Sequence, residues 1–267
     1  MEPMLTIALR AARKAAELIE RAYERVDLVT IETKSRNDYV TEVDKASEKE
    51  IIYHLRKAYP DHSFRGEESG LIQGKNPDYE WVIDPLDGTT NFIHGIPHFS
   101  ISIGCIYKGQ LEHAIVLDPI KREEFTASRG RGAALNGRRI RVSNRKSFEG
   151  ALIGTGFPFS GFALDNIKPY LACVEEIAGQ TSGIRRCGSA ALDLAYVAAG
   201  RFDSFWEMKL NLWDIAAGVL LVTEAGGLVS DFNGGTEYLN SGHIVAGSPK
   251  VFKSTLQVVQ KNLGHLK

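Results

Sequence analysis

Apolar positions recur at steps of three and four over residues 5–24, at Ala8, Ala11, Ala12, Ala15, Leu18, Ile19 and Ala22, which predicts an amphipathic helix. A second helix is predicted over residues 41–59: Thr41 is a candidate N-cap, Ile51, Ile52 and Leu55 supply an apolar face, and Pro60 ends it. The texture then changes to short apolar runs. Trp81-Val82-Ile83 reads as a buried strand running into Asp84-Pro85. Residues 99–107 and 111–117 read as a hairpin turning at Lys108-Gly109-Gln110, residues 124–127 add a strand, and Asn136-Gly137 marks a tight turn. Beyond residue 150 the pattern alternates. Strands are predicted at 151–155, 184–187, 202–206, 228–231 and 244–246, and helices at 164–178, 189–199, 213–225 and 249–262. Two helices, an antiparallel run and then interleaved helices and strands predict stacked layers of helix and sheet.

Composition narrows this little. The 267 residues are long for one domain and short for two, so one unit spanning 1–267 is expected, divisible at most into lobes of about 1–148 and 149–267. With 43% apolar and 24% charged residues, disorder is excluded. A net charge of -1 provides no global field for nucleic acid or an anionic membrane. No apolar run approaches the roughly 20 residues of a membrane helix, and residues 1–14 lack the unbroken apolar stretch of a secretory signal, so a cytoplasmic location is expected. Cys105, Cys173 and Cys187 are odd in number, far apart and without CxxC spacing, which predicts reduced, buried thiols.

The chemistry concentrates in Asp84-Pro85-Leu86-Asp87-Gly88-Thr89-Thr90-Asn91. Two carboxylates three apart follow a buried strand, Gly88 permits close backbone approach, and Thr89, Thr90 and Asn91 stand where a helix N-terminus could meet a phosphate. An all-oxygen donor set favours magnesium. Asp-Pro and Asp-Gly are ordinary turn formers, so either pair alone would say nothing; the eight together point to function. Glu67-Glu68 between glycines would ordinarily be a solvated pair, Asp214 a helix N-cap, Asp44 a first-turn acid and Lys34 a surface lysine. His94 and His98 have no evident third metal ligand and read as loop histidines. There is no GxxxxGK[ST] loop, GxSxG elbow, HExxH motif or cysteine-phosphatase loop.

Gly66-Glu67-Glu68-Ser69, the run from Trp81 to Phe92, and Trp213-Asp214-Ile215-Ala216-Ala217-Gly218 with Glu224-Ala225-Gly226-Gly227 occur in order and in register, and the chain resembles the inositol monophosphatase family nearly end to end. The resemblance implies an α+β fold, a layered αβαβα sandwich, with Mg2+ held by Glu67, Asp84, Asp87, Asp214 and the carbonyl of Leu86. It implies phosphate contacts from Gly88 and Thr89, and an Asp44-oriented Thr89 that helps Glu67 activate water. Gly188, Ser189, Ala190 and Glu207 match positions near the sugar alcohol, together with Leu86, Asp87 and Asp214. The separation of Lys34 from Asp44 is one residue shorter than in the animal enzymes.

The implied activity is Mg2+-dependent, lithium-sensitive hydrolysis of a small polyol phosphate, myo-inositol monophosphate foremost, by a homodimer. A phosphate monoester dianion repels nucleophiles, and divalent cations answer that charge. Fructose 1,6-bisphosphate or a 3'-phosphoadenosine nucleotide would use the same acids and remain as alternatives, as does a mainly protein-interaction role. A bacterial branch of the family is associated with transcription antitermination at ribosomal RNA operons, with Nus factors and RNA polymerase as partners. Arg185-Arg186 and the basic residues within 129–131 and 138–141 are the candidate surface, against the plain alternative of solvated arginines.

Overall fold

The computed structural model describes residues 2–35, 38–157 and 161–266. The chain opens with α1 (Pro3–Tyr23), a small hairpin of β1 (Ile31–Ser35) and β2 (Asp38–Thr41), and α2 (Glu42–Ala58). There follow β3 (Ser63–Gly66), β4 (Gly70–Ile72), β5 (Tyr79–Asp87), α3 (Thr89–Ile93), β6 (Ser100–Tyr107), β7 (Gln110–Asp118), β8 (Glu123–Ser128), β9 (Gly132–Leu135) and β10 (Arg138–Arg139). The second half comprises β11 (Leu152–Thr155), α4 (Gly161–Asp165), α5 (Ile167–Ala178), β12 (Gly183–Arg185), α6 (Ala190–Ala198), β13 (Ser204–Glu207), α7 (Leu212–Glu224), β14 (Leu228–Ser230), α8 (Tyr238–Ser241), β15 (Ile244–Gly247) and α9 (Pro249–Leu263).

Strands β3 to β10 form an eight-stranded sheet in the order β10-β9-β8-β7-β6-β5-β3-β4, and β11 to β15 a five-stranded sheet in the order β12-β11-β13-β15-β14. The change of sheet falls between residues 139 and 152. α1 and α2 cover one face of the larger sheet, α6 and α7 lie between the sheets, and α5 and α9 close the far side, giving the αβαβα layering. Sequence explains which helix sits where. α1 buries one stripe, Leu5, Ala8, Leu9, Ala12, Ala15 and Ile19, and keeps charges opposite. α6 and α7 are apolar around most of their circumference, which suits a layer with protein on both sides: Leu192, Leu194, Val197, Leu221 and Val222 share one core with Phe125 of the first sheet and Phe205 of the second.

Several expectations change. The first sheet is mixed, because β3 runs parallel to β5. The β6–β7 turn contains two residues, Lys108 and Gly109, both at positive φ, with Tyr107 facing Gln110. The predicted helix over 164–178 is broken into α4 and α5 at Asn166. Cys105 and Cys173 are buried as expected, but Cys187 is only half-buried. Among the described residues no helix is long and apolar enough to cross a membrane.

Because α6 and α7 are shared by both sheets, the two halves should unfold together. Leu194→Ala should lower stability by about 2–5 kcal/mol while preserving one cooperative transition. Chemical denaturation followed by fluorescence and by circular dichroism checks this; two separated transitions would contradict it.

Candidate active site

Four acids arrive from three places. β5 carries Asp84 and Asp87, which would point to opposite faces of a regular strand because side chains alternate. The pairing with β6 slips there: Asp84 faces Ser102 and Asp87 faces Ser100, so three steps on β5 match two on β6. This bulge restores a common face, and Pro85, lacking an N–H, is tolerated within it. Glu67 leaves β3 one residue beyond Gly66, whose register partner is Ile83, and donates its N–H to the Ile83 carbonyl at 3.1 Å. Glu67 therefore emerges beside Asp84. Asp214 sits in the first turn of α7, where its carboxylate accepts the Asn211 N–H at 2.7 Å. The cap is thus Asn211, with Asp214 its capping-box partner, so the plain alternative of Asp214 as the N-cap does not hold. Ser102 anchors the same turn by donating to the Trp213 carbonyl at 3.0 Å.

The electrostatics record the crowding. Burial, then the charges of Glu67, Asp87 and Asp214, holds the Asp84 carboxyl well above the ordinary carboxylate range. Asp214 is raised by desolvation and next by Asp87. Asp87 is pushed to about 6 by desolvation, although Ser189 Oγ at 2.6 Å and the Ala191 N–H at 2.7 Å both donate to it. Those two bonds make Asp87 a cap for α6 supplied from another element. Leu86 is buried beside these acids, and its carbonyl accepts the Thr89 hydroxyl at 3.0 Å.

Asp44, 1% exposed, lies at 3.0 Å from the same hydroxyl. It also completes the α2 capping box with Thr41, and burial raises its pKa against the opposing Thr41 hydrogen bonds. The Thr89 proton therefore has two competing acceptors, Asp44 and Leu86. Gly88, at φ 103, precedes α3; a Cβ there would approach the carbonyls of His98 and Gly188 to 3.1 and 3.2 Å. Gly188, at φ 91, has the same property, since its Cβ would meet Arg186 at 2.8 Å and Asn91 at 3.0 Å. Two left-handed glycines thus let the α3 and α6 approaches touch, and Asn91 locks them, donating to the His98 and Cys187 carbonyls at 2.7 and 2.8 Å.

The remaining expected residues are arranged around this centre. Ser189 and Ala190 begin α6, and Glu207 ends β13. Desolvation pushes Glu207 to about 8, opposed by Arg186 and reinforced by Asp87, so Arg186 faces the cleft as well as solvent. Arg185 is exposed on β12, an edge strand. Residue 34 belongs to β1, but the Lys34 side chain lies outside the described residues. Arg129 pairs with Glu112 and Arg131 with Glu2, so that cluster is partly neutralised.

Sequence reasoning missed Glu48. Its carboxylate, 3% exposed, accepts the N–H groups of Glu68 and Ser69 at 2.9 and 2.8 Å and fills the space left by the absent side chain of Gly66. Ser47 adds a bond to the Pro85 carbonyl at 3.1 Å. The signal was available: Asp44, Ser47 and Glu48 continue the buried stripe of Ile51 and Leu55, and polar residues on an apolar stripe need partners. Asp193 was also missed. The pair His94 and His98 is not a unit: His94 is exposed, whereas His98 lies near Cys187 and Asp193, a third and fourth residue the spacing did not reveal.

Fold and site together define a layered α+β phosphatase. The chain belongs to the inositol monophosphatase family, which it matches over residues 1–263. It is 64% identical over 265 residues to Nus factor SuhB of Pseudomonas aeruginosa, spanning 98% of each chain. Among solved structures, the extragenic suppressor protein SuhB of Bartonella henselae superposes with a TM-score of 0.95 at 42% identity, covering 98% of this chain and 100% of that one. The IMPase of Thermotoga maritima does so with a TM-score of 0.87 at 36% identity, over 98% and 99%.

The Glu48 clamp should be energetically visible. Glu48→Ala leaves two turn amides without their charged acceptor and should cost about 2–4 kcal/mol, with Glu48→Gln costing less. Urea midpoints of the two variants check it; an unchanged midpoint in Glu48→Ala would remove the clamp from the account.

Proposed function

We propose that the protein hydrolyses a small polyol phosphate monoester, myo-inositol monophosphate foremost, with Mg2+. The carrying observation is the convergence of Glu67, Asp84, Asp87 and Asp214 in a desolvated cleft, where burial and then the charges of the other three raise Asp84, and burial and then Asp87 and Glu67 raise Asp214. An all-oxygen set of this charge fits Mg2+. Glu67, Asp84, Asp87, Asp214 and the Leu86 carbonyl would hold it; when bound, it neutralises the phosphate, activates water and stabilises the departing alkoxide. The protein's own groups do the rest. Thr89, with its proton directed by Asp44 and the Leu86 carbonyl, orients the attacking water together with Glu67. The Gly88 approach and the start of α3 receive the phosphate. Ser189, Ala190 and Glu207 hydrogen-bond the polyol and penalise analogues lacking a hydroxyl.

Phosphate release from inositol 1-phosphate should vanish on chelation and return with Mg2+; full turnover in excess chelator would defeat the proposal. Asp84→Asn should remove most turnover at saturating Mg2+. Because an ion held only by the folded chain stabilises it, Mg2+ at 100 times its dissociation constant should add roughly 2.7 kcal/mol, read as a rise in melting temperature. A panel including fructose 1,6-bisphosphate and a 3'-phosphoadenosine nucleotide ranks the substrates.

A second reading rests on the likeness to proteins named Nus factor: a role in transcription through contact with Nus factors and RNA polymerase. Its surface is assigned to exposed Arg185 and Arg186. Arg186→Ala should weaken capture of that machinery more than it slows hydrolysis, whereas Asp84→Asn should do the reverse. Loss of capture by folded Asp84→Asn protein would make the two roles inseparable. A homodimer is part of the same proposal and is checked by light scattering.

A further inference from the structure

Beside the acid cleft lies a second group of donors with different chemistry. A ring nitrogen of His98, the Cys187 sulfur and a carboxylate oxygen of Asp193 all lie within 4.8 Å of one another. Asp193 is 1% exposed, and its Oδ1 is buried with no hydrogen-bond partner. The Nε2 of His98 is likewise buried and unpartnered. Buried polar atoms are rarely left so, and two at one place call for a ligand. The local backbone is fixed: Asn91 donates to the carbonyls of both His98 and Cys187, and Asp193 is held in the first turn of α6, its N–H bonded to the Ser189 carbonyl at 3.0 Å.

We propose that His98, Cys187 and Asp193 form a zinc site, distinct from the acid cleft and independent of the phosphatase reading. The donor set of nitrogen, sulfur and oxygen suits Zn2+ and disfavours Mg2+, which takes oxygen ligands in octahedral geometry. Tetrahedral zinc with one thiolate requires donors about 3.5 Å apart, so side-chain rotations closing a separation of up to 4.8 Å suffice. The charges also match: thiolate, carboxylate and neutral imidazole sum to minus two, so the bound group is neutral and can remain buried. Binding releases the Cys187 proton to solvent, and the Asp193 proton where one is held. His98 is already neutral at physiological pH because burial lowers it to about 4. The fourth position is left to water. An ion there would pin the turn from Cys187 to Asp193, which carries Gly188, Ser189 and Ala190.

The test uses the full chain, stripped by chelator and kept in excess Mg2+ so that oxygen sites are filled, then titrated with Co2+ and with Zn2+. Cobalt should give a thiolate charge-transfer band in the near ultraviolet that saturates at a single equivalent and is abolished by Zn2+. Zinc should also protect Cys187, the half-buried thiol, from alkylation, while Cys105 and Cys173 stay unreactive through burial. Cys187→Ser, Asp193→Asn and His98→Gln should each weaken zinc binding by at least about tenfold, the lower end of what even an outer-shell partner contributes. Absence of the thiolate band in folded wild-type protein overturns the proposal, and that measurement stands even if a variant fails to fold. Undiminished zinc binding in the folded variants also overturns it, by leaving the ion to the acid cleft.

Discussion

Like charges gathered in a medium of low polarity resist being brought together. At an effective dielectric of about 20, two carboxylates about 5 Å apart repel by roughly 3 kcal/mol, and Asp84 feels the charges of Glu67, Asp87 and Asp214 together. The raised pKa values of Asp84 and Asp214 express desolvation first and that repulsion second, as a preference for the protonated acid, and desolvation raises Asp87 against the hydrogen bonds it accepts. The hydrogen bonds that Asp84, Asp87 and Asp214 accept do not offset this cost, since all three stay raised, so the surrounding fold has to impose the arrangement. Much of the architecture near the cleft can be understood as the means of imposing it.

Each acid is tied down by a bond that also serves structure. Asp87 caps α6, Asp214 completes the α7 capping box, and Asp84 accepts the Leu86 N–H at 2.9 Å. Glu67 is held by its own backbone bond to β5 and by the Glu48 clamp on the two residues that follow it. Helix N-termini favour negative charge, so placing Asp87 and Asp214 at the starts of α6 and α7 lowers the cost of gathering them. Those two helices form the central layer, apolar on nearly every side, and are therefore anchored by both sheets. The most conflicted part of the molecule is mounted on its most buried helices.

This division explains what the sequence disclosed. Amphipathic α1 and the apolar α6 and α7 announce themselves, because period and composition are local properties. The run from Asp84 to Asn91 is legible because its chemistry is continuous along the chain. The strands β3, β4, β9 and β10 are not, since glycine or arginine takes up much of each and their definition depends on their partners. The β5 bulge is invisible for a similar reason: it is a property of pairing with β6, and without it Asp84 and Asp87 would be assigned to opposite faces. Glu48 reads as one more charge on a helix until its position on the stripe of Ile51 and Leu55 is taken seriously. The His98, Cys187 and Asp193 group requires a close approach across about 90 residues, which no spacing rule anticipates.

The end of the cleft lined by Glu207, to which the proposed function assigns the polyol, obeys a different constraint from the acid end. Glu207 comes from the smaller sheet, and its carboxyl occupies room left by Gly156, which has no side chain to contest it. Desolvation favours its neutral form while Arg186 favours the charged one. A carboxyl balanced in this way can accept hydrogen bonds from hydroxyls or donate one to them, according to which partner is present. The acid end, by contrast, is dominated by carboxylate charge, and under the proposed function it would serve any phosphate ester. Selectivity must therefore be set where the second sheet and the α6 turn meet, through Glu207, Arg186 and the Gly188-Ser189-Ala190 approach. Arg186 is exposed and touches that end, so whatever binds this arginine from outside also alters the electrostatic balance of Glu207 within.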